Sequence, residues 1–111
     1  MKILFNYILI VLFFNSCSEK LHIDFVDTIM FEGKLYELNS DVPISGKVFN
    51  MYSNGFKEYE GEYIDGKPHG NLIYWYDTGV KMREGKLNNG VPIGIWSYYN
   101  KFGVLEKTME Y

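Results

Sequence analysis

The chain has 111 residues, a formal net charge of −3, one cysteine and 18% aromatic residues. That length suits one domain. The acidic balance, with no Lys/Arg cluster, excludes a nucleic-acid footprint. A lone cysteine excludes an internal disulfide framework and a cysteine-based metal site.

Met1 to Ser16 reads as a targeting segment, with Lys2 as the positive start and Ile3 to Phe14 an apolar run broken only by Asn6. About twelve helical residues reach about 18 Å, well short of a hydrocarbon core of about 30 Å. A cleaved signal helix over residues 1–16 is therefore favoured over a spanning one. Phe14-Asn15-Ser16-Cys17 resembles a bacterial lipobox. Ser16 and Cys17 fit it, whereas Phe14 and Asn15 are unusual there. An ordinary signal peptide and a short membrane anchor are the competing readings. The resemblance implies acyl chains on the thiol and amine of Cys17, and several chains anchor stably where one does not. Residues 17–22 would then be a lipidated tether. Ser18, standing where an Asp would favour inner-membrane retention, points to an outer-membrane lipoprotein in the bacterial cell envelope.

Residues 23–45 are β-prone, with Ile23, Phe25, Val26, Ile29 and Phe31 before a Glu32-Gly33 turn into Lys34 to Leu38. Val42-Pro43-Ile44 echoes Val91-Pro92-Ile93. The segment is expected to be a divergent hairpin that caps the following array, as terminal repeats commonly do.

From Gly46 the chain repeats itself. Gly46, Gly70 and Gly94 are 24 residues apart, as are Gly55, Gly79 and Gly103. Gly61 and Gly85, Gly66 and Gly90, Pro68 and Pro92, and Tyr52 and Tyr76 keep the same phase. A fixed period of this size marks a repeat array. The units are 46–69, 70–93 and 94–111, and each reads as a β-hairpin. Lys47–Tyr52, Asn71–Tyr76 and Ile95–Asn100 are first strands, rich in residues that suit a pleated surface. Phe56–Ile64, Val80–Asn88 and Val104–Tyr111 are second strands. Each hairpin loop closes on a glycine, which takes a left-handed conformation at least cost. Gly66, Gly70, Gly90 and Gly94 are assigned to the connections between units, where Asp-Gly and Asn-Gly precede Pro. The predicted fold is all-β, an open antiparallel meander in which each strand pairs with its sequence neighbour.

Tyr59-Glu60-Gly61-Glu62-Tyr63-Ile64-Asp65-Gly66-Lys67-Pro68-His69-Gly70 resembles the core of a MORN repeat. The 24-residue unit is similar to the bacterial MORN variant, often labelled an antitoxin of toxin–antitoxin systems. The resemblance spans about residues 36–111. Ile93 stands where His69 stands, Met109 where Gly61 and Gly85 stand, and Asn100 where Tyr52 and Tyr76 stand. The family carries no catalytic motif, so the resemblance implies a fold and a partner-binding role.

Candidate chemistry is sparse. Glu58, Glu60 and Glu62 alternate onto one strand face, which by default is solvated and paired with basic neighbours. His69 sits in a turn with no second ligand near it in sequence. No Gly-rich phosphate loop or nucleophile–base pair is visible. No cofactor, metal or enzymatic activity is expected. Strand alternation places Val48, Leu72 and Trp96 on one face, and Phe49, Ile73, Ser97, Met51, Trp75 and Tyr99 on the other. These aromatics either hold a thin sheet together or meet a partner, since Tyr and Trp are enriched at interfaces. The candidate binding residues are Tyr52, Tyr74, Trp75, Tyr76, Trp96, Tyr98 and Tyr99. The favoured function is a non-catalytic protein-binding module anchored at the membrane. An antitoxin or immunity protein that occludes a toxin is the alternative, and polysaccharide binding the third.

Overall fold

The computed structural model describes residues 22–111. The signal segment, Cys17 and the tether up to residue 21 lie outside the described residues. The strands are β1 (His22–Asp24), β2 (Thr28–Phe31), β3 (Lys34–Glu37), β4 (Gly46–Met51), β5 (Lys57–Ile64), β6 (Lys67–Trp75), β7 (Lys81–Asn88), β8 (Val91–Tyr99) and β9 (Leu105–Glu110). One short 3-10 turn, Phe25–Asp27, separates β1 from β2. The described chain is all-β, and β4 to β9 form the antiparallel meander expected from the repeats.

Two kinds of turn alternate along the meander. Gly55, Gly79 and Gly103 close three-residue loops, with φ of +91°, +86° and +82°. Their N–H groups donate to the carbonyls of Tyr52, Tyr76 and Asn100, each at 3.0 Å. This is a type I turn followed by a left-handed residue. The units join through only two residues, Asp65-Gly66 and Asn89-Gly90, all at positive φ. Such mirror-image turns match the right-handed twist of the flanking strands.

The brevity of that second turn corrects one assignment. Lys67 to Gly70 and Val91 to Gly94 already belong to β6 and β8, so Gly70 and Gly94 are strand residues and not turn residues. They sit where those strands carry extra residues: Gly61 pairs with Leu72 while Tyr63 pairs with Pro68, and Glu84 pairs with Ser97 while Lys86 pairs with Ile93. Bulges of this kind bend a strand and re-aim its side chains.

The N-terminal region also departs from expectation. It is not a single hairpin from Ile23 to Leu38. β1 runs parallel to β4, with Ile23 opposite Val48, and forms one edge of a seven-stranded sheet. β2 and β3 make a separate two-stranded sheet. The cause is local. The Asp24 carboxylate accepts the Val26 N–H at 3.1 Å, and the Thr28 hydroxyl donates to the Phe25 carbonyl at 2.7 Å. That turn breaks the run and lets three residues pair elsewhere.

The echo built on Pro43 is off by one residue. Ile44 lends its carbonyl to the Gly66 N–H as Pro68 lends its own to Gly90, both at 2.8 Å. Ser45 Oγ accepts the Asp65 N–H at 3.0 Å, as His69 Nδ1 accepts the Asn89 N–H at 3.4 Å. Ile44-Ser45 is therefore the counterpart of Pro68-His69, 24 residues earlier. Pro43 instead bridges Tyr36.

One face of the sheet holds the core, in two clusters: Ile23, Leu35, Ile44, Val48 and Tyr63, then Leu72, Leu87 and Trp96. Tyr59 packs against both. Large residues alternate with glycines across the strands, since Val48 pairs with Gly61 and Leu72 with both Gly61 and Gly85. The glycines are there for room. A Cβ at Gly61 would meet Tyr59 Cζ at 2.9 Å and Leu72 Cδ1 at 3.1 Å, and one at Gly85 would overlap the Trp96 indole.

Candidate functional site

The two faces of the sheet carry different chemistry. On the core face a row runs across six strands through successive pairs: Asn50, Tyr59, Tyr74, Arg83, Tyr98 and Lys107. The Tyr59 and Tyr74 ring centroids are 5.0 Å apart. The Arg83 guanidinium lies 4.2 Å from the Tyr74 centroid, and the Lys107 ammonium 4.9 Å from that of Tyr98. Such cation–π contacts are worth about 0.5–1 kcal/mol each at exposed sites. The Tyr59 and Tyr63 hydroxyls are 2.8 Å apart. Burial pushes the Tyr59 hydroxyl well above the usual phenol range and raises that of Tyr63, because the anionic form loses its hydration.

The opposite face carries paired charges. Lys57 bonds Glu60 at 3.0 Å, and Lys81 bonds Glu84 at 2.8 Å, so one ion pair recurs at the repeat spacing. The Glu84 carboxyl is held below its usual range, first by the hydrogen bond from Lys81 and then by one from the Tyr99 hydroxyl at 3.0 Å. Glu62 accepts the Asn71 N–H at 3.1 Å. Glu60, Glu62, Asn71 and Glu84 line a shallow, open concavity of about 660 Å³ with Lys47, Ile73 and Lys86. Glu58 does not belong with them. It is the extra residue of the β4–β5 bulge and accepts from Asn50 Nδ2 at 3.1 Å. A carboxylate held by a lysine and a tyrosine is tuned to stay ionised, the opposite of what a general acid requires. Among the described residues no group of three His, Cys, Asp or Glu side chains could hold a metal ion, and no helix is long and apolar enough to cross a membrane.

The seven aromatic candidates do not converge. Tyr74 and Tyr98 belong to the tyrosine row. Trp75 and Tyr99 alternate onto the opposite face, half-buried. Trp96 is 5% exposed, lies over Gly85 and donates Nε1–H to the Lys86 carbonyl at 3.2 Å. It is a core residue and presents no surface. Tyr52 and Tyr76 tie one unit to the next: their hydroxyls donate to the carbonyls of Trp75 and Tyr99 at 2.7 and 2.8 Å.

Compared with known proteins, the chain matches no family model, no curated protein and no solved structure.

Sequence reasoning passed over three exposed apolar residues of the last hairpin. Ile95, Phe102 and Leu105 are 65%, 90% and 51% exposed. The signal lay in the repeat itself. Ile95 stands 24 residues after Asn71, Phe102 after Thr78 and Leu105 after Lys81. At each position the preceding two units are polar: Lys47 and Asn71, Asn54 and Thr78, Lys57 and Lys81. β9, exposed along its whole length, is the outermost strand beside them. Among the described residues nothing pairs with its outer edge.

Proposed function

We propose that the chain is a non-catalytic MORN-repeat lipoprotein, a protein-binding module at the bacterial cell envelope that makes contact through its last repeat. One observation carries this reading: the replacement of polar residues by Ile95, Phe102 and Leu105, all exposed, beside the outer edge of β9, which no described residue pairs. Exposed apolar side chains next to unpaired strand N–H and C=O groups are what a partner's added strand engages, with main-chain bonds giving affinity and side chains specificity. The MORN likeness supports the reading through the 24-residue unit and the Tyr52 and Tyr76 ties, which hold successive units in fixed register.

The test is photo-crosslinking in cells, with a reactive residue in place of Phe102. A discrete protein adduct is expected. Ile95→Glu and Leu105→Glu should remove it while leaving the thermal melt unchanged, because both side chains already face water. An adduct that survives both variants refutes the assignment of the surface. Anchoring is tested separately. Cys17→Ser should leave an unprocessed or soluble protein, and a variant that is processed normally and stays in the outer membrane refutes the lipid anchor.

A further inference from the structure

We infer that the β2–β3 hairpin is a second membrane contact, lying against the lipid–water interface beside the anchor. The inference rests on the lipid-anchor reading of Cys17. In β2, Ile29, Met30 and Phe31 are 53%, 59% and 61% exposed, an entire apolar stretch turned to solvent. The register puts Ile29 opposite Tyr36 and Met30 opposite Leu35. Leu35 points into the core, so Ile29, Phe31 and Tyr36 form the outward face, with the Phe31 and Tyr36 rings edge to face at 6.4 Å. Val26 and Val42, 69% and 71% exposed, belong to the segments that flank the hairpin. A surface of this kind in water is a contact site looking for an apolar neighbour.

The hairpin is rigidly mounted. The Leu35 N–H donates to the Gly66 carbonyl at 2.8 Å, the Ile44 N–H to the Leu35 carbonyl at 2.9 Å, and Lys34 bonds Asp65 at 2.9 Å. Added side-chain volume at Gly66 would strike Lys34 Cβ at 2.7 Å, so hairpin and turn are packed together. The outward face is thus presented by the sheet and does not swing freely.

Chain length identifies the occupant. β1 begins at His22, five residues after Cys17. Five extended residues span at most about 18 Å. Acyl chains on Cys17 would hold β1 that close to the headgroups, and only the 3-10 turn separates β1 from β2. At such a range the tether supplies a high effective concentration, so a weak contact is enough. Phe and Tyr suit the interface, where an apolar ring and a polar hydroxyl are both accommodated. Charge defines the lipid. Residues 22–45 hold Asp24, Asp27, Glu32, Glu37 and Asp41 against Lys34 alone, and Lys34 is committed to Asp65. Anionic headgroups would repel this end of the molecule, so the surface fits zwitterionic lipid.

The experiment uses the full lipidated protein in phosphatidylcholine vesicles, with benzoylphenylalanine in place of Phe31 or, as the distal control, Phe102. Intact mass first reports whether Cys17 is acylated, which judges the anchor on its own. Position 31 should then give at least tenfold more phosphatidylcholine adduct than position 102. Replacing a third of the lipid with phosphatidylglycerol should lower that yield. Ile29→Ser should lower it too, with an unchanged melt. Equal lipid adducts at the two positions in vesicle-bound protein overturn the contact, as does an adduct at position 31 formed with protein instead of lipid. An unacylated chain that also fails to give lipid adducts at position 31 overturns both readings.

Discussion

Gly85→Ala isolates the packing that organises the core face. Gly85 lies outside the left-handed region, so alanine meets no backbone penalty there. The cost is steric, because the new methyl would occupy the space of the Trp96 indole. Overpacking costs about 1–3 kcal/mol. Tilting the indole away also forfeits part of its burial, worth about 1.5–3 kcal/mol for a large apolar side chain, and the Nε1–H bond to Lys86, worth about 0.5–1.5 kcal/mol. A loss of about 2–4 kcal/mol is expected, with a melting point lower by about 8–32 °C at about 4–8 °C per kcal/mol for a domain of this size. Gly90→Ala is the control. Gly90 has φ +82° and open space around its Cα, so alanine there carries only a left-handed penalty of about 1 kcal/mol. Thermal melts followed by circular dichroism should rank Gly85→Ala as the worse variant. In a Trp96→Leu background the cost of Gly85→Ala should shrink by about 1 kcal/mol or more, since contacting residues couple on that scale. Equal cost in both backgrounds, or a larger loss at Gly90, would refute the reasoning.

Three further expectations concern the ties between units and the effect of pH. Tyr52→Phe and Tyr76→Phe should each cost about 0.5–1.5 kcal/mol in urea melts, because each removes one bond to the next unit; unchanged midpoints would count against that role. Gly79→Val should destabilise more than Gly55→Val by urea titration, since both have positive φ but only Gly79 faces the Phe56 ring, at 3.2 Å, and equal losses would contradict this. Tyr59 and Tyr63 have folded pKa values raised above the usual value of about 10, so their stabilisation is complete below pH 10. It is lost as pH rises from there toward the folded values, because the unfolded chain gives up its protons first, at up to about 1.4 kcal/mol per pH unit per tyrosine. Tyr59→Phe should flatten that decline, and a wild-type stability that stays level from pH 9 to 11 would argue against it.

The meander was legible because turn chemistry and strand composition shared one 24-residue phase. Gly55 and Gly79 fall where a loop demands a left-handed residue, and strand alternation already sets Val48 and Phe49 on opposite faces, although apolar residues on both faces hid which one is buried. What the sequence hid was mostly a matter of partners distant along the chain. Three residues, His22 to Asp24, carry too little pattern to announce a parallel pairing with β4. Trp96 reads as an interface aromatic until Gly85, on a neighbouring strand, is seen beneath it. Gly70 and Gly94 look like turn residues because Pro and Gly cluster beside them, yet two residues suffice for the turn and the remainder is bulged strand. The exposed set on the last hairpin was readable in principle. It shows only when equivalent positions are compared between units, where Leu105 replaces Lys57 and Lys81.

Pairing each strand of the meander with its sequence neighbour has a kinetic consequence. From β4 onward every strand joins the next through a turn of two or three residues, and paired residues lie within 17 positions of each other, so little chain entropy is lost before each new strand is rewarded. A three-residue or two-residue turn can nucleate a hairpin anywhere between Gly46 and Tyr111, and growth proceeds by adding one strand at a time. The parallel pairing of β1 with β4 is different. It joins Ile23 to Val48, 25 residues away, and gains nothing until β4 is already in place. The sheet should therefore assemble rapidly from its repeats and acquire its N-terminal edge last. Amide hydrogen exchange should open in the reverse order, with β1 releasing before the strands around Leu72 and Gly85.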